Sequence, residues 1–227
     1  MNTPTGQRAA AALLLVGAVA FGAADLLRRV VTGDATTSTA ITRAVADRTG
    51  LWNVAAVLAV VAALALLPAL SHLVSAAGSG SGARLTRIGG LLAAAGMVAS
   101  AGHAAAFYGP YSAYAAAGTA ASDITALDTA TEGVPVLALL IVLFLLGLVV
   151  GQILLFIGLR RARRVPVWAV IAVVVEIVAG STGGIVPGVV GLVAWVAAYL
   201  PVALALRGSR ASDHLATAAI ALKTSRA

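Results

Sequence analysis

The chain contains no cysteine, which excludes a disulfide framework, a thiolate metal site and a cysteine nucleophile. Charge is also scarce. Only 10% of its 227 residues are charged, against about 25% in an ordinary soluble domain. Lysine is nearly missing, with Lys223 standing against a majority of arginines. There is no phosphate-binding glycine loop, no HExxH zinc pattern and no G-x-S-x-G elbow. Nor is there a paired-aspartate motif of the kind prenyl-transfer enzymes carry. These gaps remove the motif-bearing nucleotide-binding, zinc-protease and serine-hydrolase classes.

Apolar length is abundant. Hydrophobic residues make up 61% of the chain and mean hydropathy is +1.02, more apolar surface than a soluble fold of this size can hide. The uncharged runs are continuous rather than alternating, so they read as membrane helices and not as barrel strands. The expected fold is all-α, a polytopic bundle of six spans at 9–27, 51–76, 88–108, 135–159, 166–186 and 188–206. These form one domain over 1–210, followed by a cytoplasmic tail at 211–227. Arg8 and the small residues at 18–24 also fit a secretory signal peptide, the alternative reading of the first run.

The net charge of +7 then marks loops rather than a nucleic-acid surface, and no nucleic-acid partner is expected. Arg84 and Arg87, the run Arg160 to Arg164, and Arg207 with Arg210 place three segments in the cytoplasm. The 109–134 segment has no Lys or Arg but holds Asp123, Asp128 and Glu132, and is expected outside as a polar loop. Both termini are then cytoplasmic, in a bacterial inner membrane. Arg43 and Arg48 in the outer 30–50 segment run against this rule.

Smaller features fit the frame. Asp25 precedes Arg28 and Arg29 at ion-pair spacing. Ser38 or Thr39 caps a short helix with Ile41, Ala44 and Val45 on one side, expected to lie along the membrane surface. Trp52 reads as an interfacial anchor, Pro68 as a kink, and Tyr108, Tyr111 and Tyr114 around Pro110 as an aromatic belt with an exit turn.

Glu176 is the sharpest candidate. It stands alone near the middle of Pro166 to Gly188. A carboxylate at bilayer centre costs roughly 2.5 to 3.5 kcal/mol on insertion scales, so it should face protein or water. Gly180, Gly184 and Gly188 follow it at successive i+4 positions and read as a close-packing face, as do Gly147 and Gly151 in the fourth span. Gln152 lies about 6 Å from Glu176 in depth, counted from the arginine run between their helices, so the two can link. The bland account of Glu176 is an interhelical hydrogen bond; the functional one is a proton or cation site, or a general acid. The stretch GSTGG allows a broken helix whose Ser181, Thr182 and freed carbonyls line a cavity.

His103 and His72 fall at opposite depths, so they cannot share one haem iron. His103 reads as hydrogen-bonded inside the bundle. No cofactor and no metal site is expected; Asp123 and Asp128 read as a solvated loop rather than cation ligands.

The polar segment after span one, the inner loop GSGSGARLTR, the Lys- and Arg-free outer loop and RRARR resemble the layout of uncharacterised six-helix bacterial integral membrane proteins. That resemblance implies fold and location, and no activity. Three functions stay open: a membrane-embedded binding or interaction protein, with a protein partner or a second copy; a small-solute or proton-coupled transporter using Glu176; and a membrane enzyme acting on a lipid or isoprenoid. A filled surround of Glu176 favours the first, a polar one-sided cavity the second, and a long apolar groove the third.

Overall fold

The computed structural model describes residues 4–224, with side chains at 5–207. Every regular element among them is helical: α1 (Pro4–Thr32), α2 (Ser38–Asp47), α3 (Thr49–Ser75), α4 (Ala83–Ala117), α5 (Ala121–Glu132), α6 (Pro135–Leu145), a π-helical segment (Leu146–Gly151), α7 (Gln152–Arg161), α8 (Val167–Ser181) and α9 (Ile185–Thr224). Five helical stretches are long and apolar enough to cross a membrane: Thr5–Thr32, Thr49–Ser75, Ala83–Ala117, Pro135–Arg161 and Ile185–Arg207. α8 is a shorter apolar helix of 15 residues, about 22 Å long at 1.5 Å per residue.

The long helices close into a ring. α1 packs on α3, α3 on α4, α4 on the α6–π–α7 stretch, α7 on α8, α8 on α9, and α9 returns to α1. One half of the ring is filled by Leu14, Leu66, Leu70, Met97, Phe156 and Tyr199, all buried. The arginine-rich connections gather at this end, where Arg164 donates to the Ala76 carbonyl and Arg87 to that of Gly78.

Glycine sets the tightest seam. Gly82, Gly89 and Gly96 recur every seven residues along α4 and face Gly158, Gly151 and Gly147. A Cβ on Gly96 would stand 2.6 Å from the Gly147 Cα, and one on Gly151 would stand 2.6 Å from the Ala93 nitrogen. Gly147 and Gly151 thus lie in backbone-to-backbone contact with α4.

At the other end, the expected surface helix and outer loop form a cap instead. Thr37, not Ser38 or Thr39, is the N-cap of α2 and accepts from the Ala40 amide. α2 packs on α4 and α5, burying Thr42 and Val45, rather than lying free on the membrane. The 109–134 stretch is helical, not a loop: α4 runs through Pro110 to Ala117, and α5 follows. The Ser38 hydroxyl donates to Asp128 at 2.5 Å and lies 3.2 Å from the Tyr111 hydroxyl. Trp52 is no interfacial anchor. It is fully buried in a second apolar cluster with Val45 and Tyr108, and its indole N–H donates to the Tyr108 carbonyl at 3.2 Å.

The expected continuous helix Pro166 to Gly188 is interrupted. α8 ends at Ser181, Thr182 has extended backbone, Gly184 takes φ +90°, and α9 starts at Ile185 instead of Gly188. The positive φ suits glycine, whose missing Cβ removes the steric penalty. This break dissolves the glycine row: no heavy atom would meet a Cβ on Gly180 within 4 Å, and Gly184 would meet only a Pro187 side-chain carbon. Gly188 packs against the Arg29 and Leu26 side chains rather than a helix backbone. α9 continues as backbone helix to Thr224; the surface character expected of the 211–227 tail lies outside the described side chains.

Candidate functional site

A helix that stops inside a protein leaves its last carbonyls without amide partners. α8 ends at the exposed residues Gly180 and Ser181, with the Thr182 amide bonded to the Ala179 carbonyl, and Arg29 adds donors there. The guanidinium of this buried arginine donates to the carbonyls of Ala179 at 3.1 Å, Gly180 at 3.2 Å, Thr182, and Gly184 at 3.2 Å. Its Nε donates to Asp25 at 2.6 Å, and the other Asp25 oxygen takes Arg28 Nη2 at 2.6 Å. The Asp25–Arg28–Arg29 spacing thus does more than pair charges along one helix. It pins the broken end of α8 to α1, with a cation set at a helix C-terminus as the dipole favours.

Between this latch and the packed half of the ring lies a cavity of about 390 Å³. Asp25 and Arg28 stand at the end nearest the Arg29 latch, Glu176 and Trp195 on the α8–α9 side, and Ser100 and His103 on α4. Phe21, Phe144 and Leu148 supply much of the remaining wall. Glu176 is 4% exposed, and its Oε2 has no hydrogen-bond partner among the described residues. The Trp195 indole stands beside its carboxyl, and Asp25 is near enough to act on it electrostatically. Arg28 bears on His103, and both Arg28 and Asp25 bear on Tyr108, on the α4 wall. His103 is sandwiched between Phe107 and Phe144, with ring centroids at 6.0 and 5.7 Å.

The other expected site residues divide. Ser181 lines the cavity, though its hydroxyl donates back to the Val178 carbonyl. Thr182 contributes its carbonyl to Arg29 and its hydroxyl to the Ala179 carbonyl. Gln152 does not pair with Glu176: its Oε1 accepts from the Tyr199 hydroxyl at 3.4 Å, while its Nε2 has no partner among the described residues. His72 is remote from His103, near the arginine-rich end, with Ser75 bonded to its carbonyl.

Asp25, Arg28, Trp195 and Ser100 were not singled out as site residues from the sequence. The signal that could have found them is GSTGG itself. A broken helix needs a donor for its freed carbonyls, and arginines paired at a helix end are the natural supply.

The unpartnered Oε2 makes Glu176 weakly coupled to the fold. Glu176→Gln should change stability by less than about 1 kcal/mol, because no protein hydrogen bond to that oxygen is lost. Thermal denaturation in detergent checks this, and a loss of several kcal/mol would show that the carboxyl is structural. No family model, curated protein or solved structure matches the chain.

Proposed function

We propose that this chain is a six-span protein of a bacterial inner membrane, with both termini cytoplasmic, whose activity is to bind a small amphiphilic molecule in the cavity between α1, α4, α8 and α9. α8 is short for a span, but it starts at the arginine-rich end and is latched to α1 at the capped end, which supports a crossing. The arginine distribution supports the orientation. The surrounding bilayer is the partner the apolar surface implies, and a protein partner or second copy would have to use that same surface.

The observation that carries the binding reading is a cavity with mostly apolar walls that has the Arg28 guanidinium and the buried Glu176 among its lining residues. Such a site matches a molecule with one polar end and an apolar body. The way in is lateral. α6 packs on α4 and touches α5, while α8 packs on α9 and, farther inward, on α7. Residues from both sides of this seam line the cavity, and Leu145, Gly180 and Ser181 among them are also exposed on the outside. The filled half of the ring favours binding over passage through the membrane.

The test uses Trp195 as reporter, read as the difference between a Trp168→Phe protein, which lacks an indole 47% exposed on the surface, and a Trp168→Phe/Trp195→Phe control, because Trp52 remains in both. Doxyl-stearate methyl ester in nanodiscs should quench Trp195 fluorescence saturably. Gly180→Leu fills open space at the cavity rim and should abolish the saturable part while leaving the protein folded. Quenching that rises linearly in both proteins would defeat the reading.

A further inference from the structure

The charges at the latch end of the cavity do not balance locally. Two guanidiniums, Arg28 and Arg29, share the single carboxylate of Asp25, one oxygen each. Arg29 is committed elsewhere, with its remaining nitrogens on the carbonyls at and just beyond the α8 end. Arg28 is not. Its one hydrogen bond to Asp25 uses Nη2, its side chain is 33% exposed, and it lines the cavity on the side of His103 and Tyr108. A guanidinium has five N–H donors in a planar fork, matched to the paired oxygens of a carboxylate or phosphate. Its position at one end of an apolar chamber fixes where the polar end of a ligand goes.

Resting on the binding reading above, we infer that the cavity selects anionic amphiphiles, with the acid group held by Arg28 and the apolar body along Phe21, Phe144 and Leu148. Glu176 lines the α8 side of the cavity with its Oε2 sealed from solvent, which leaves the acid group to Arg28. Arg29 is a positioning residue here, since its hold on Asp25 keeps that carboxylate from wrapping both forks of Arg28.

The experiment compares doxyl-stearate, ionised by the choice of buffer pH, with its methyl ester in the same Trp195 quenching assay. The acid should bind about ten-fold more tightly, the worth of one charge-assisted pair in a partly wet site. Arg28→Gln should bring the acid down to the ester's affinity without changing the ester, and Arg28→Lys should keep a preference for the acid. Equal affinities in the parent protein would overturn the anionic assignment while leaving the cavity reading standing; absence of saturable binding by both probes would overturn the cavity reading itself. An acid preference that survives Arg28→Gln would overturn the role of Arg28. Should Arg28→Gln fail to fold, the acid–ester comparison in the parent and in Arg28→Lys still decides. A doxyl-labelled phosphatidic acid separates the sources: saturable binding by stearate alone assigns a single-chain carboxylate, and binding by the phosphatidic acid assigns a phospholipid headgroup, either outcome supporting an anionic ligand.

Discussion

Arg29→Met should cost about 3 to 5 kcal/mol, the range found when one partner of a buried charged network is removed. The side chain is 4% exposed, so little of its interaction is lost to solvent screening. Methionine fills a similar volume but donates nothing, and the carbonyls of Ala179, Gly180, Thr182 and Gly184 then lose the donor they share. The Ala179 carbonyl keeps the Thr182 amide and hydroxyl; each of the others left unsatisfied costs about 1 to 3 kcal/mol, partly relieved where water reaches the α8 end. Asp25 keeps Arg28, so no bare carboxylate is created. Arg29→Lys should recover only part of the loss, because an ammonium has three donors and no fork. Reversible unfolding in mixed micelles gives the difference; a change within about 0.5 kcal/mol for Arg29→Met, the range of ordinary surface substitutions, would mean that α8 holds its break without the latch.

The second large effect concerns glycine. Gly96→Ala places a methyl 2.6 Å from the Gly147 Cα, closer than real Cβ contacts come, and the obstacle is backbone rather than a side chain that can swing away. The α4 and α6–π–α7 stretches must separate along a seam with no slack, at about 1 to 3 kcal/mol or more for overpacking. Gly180→Ala is the control. It sits on α8 with nothing within 4 Å of the new methyl, and should be neutral or stabilising by up to about 1 kcal/mol through helix propensity. Melting temperatures of the two proteins should move in opposite directions or differ widely. Equal small shifts would contradict the backbone contact.

The comparison of these two glycines also shows how far the sequence could be read. Spacing alone assigned Gly147, Gly151 and Gly180 the same packing role, since each belongs to a small-xxx-small pattern. The structure separates them by what lies opposite. Gly147 and Gly151 meet a glycine line on α4 whose seven-residue period was visible at Gly82, Gly89 and Gly96, whereas Gly180 faces the cavity and Gly184 is spent on a backbone turn. Long apolar runs announced the membrane helices because hydropathy is a local property. The polar composition of α5 shows no helical period, and Pro110, a turn signal by residue type, sits inside α4.

Glu176 was legible because a lone acid in an apolar helix is costly wherever it lies. Its surroundings were not. Gln152 had the right depth but turns to Tyr199, and depth says nothing about azimuth. The intrahelical pair with Asp25 accounts for Arg29 in the sequence, while its main acceptors lie 150 or more residues away in the chain. Contacts at that separation are written in the fold.

The central claim is that one half of the ring is open to molecules from the bilayer and the other is packed solid. The absence of native cysteine makes it directly measurable. Ser100→Cys, nearly isosteric, places a thiol in the cavity wall at a residue only 6% exposed on the surface. Ala169→Cys places one in the packed half at a residue with 0% exposure. In native membranes treated with N-ethylmaleimide, the thiol at position 100 should react at least about ten times faster than the one at 169, as access governs thiol chemistry. If both are equally inert, the cavity is closed and the binding account fails.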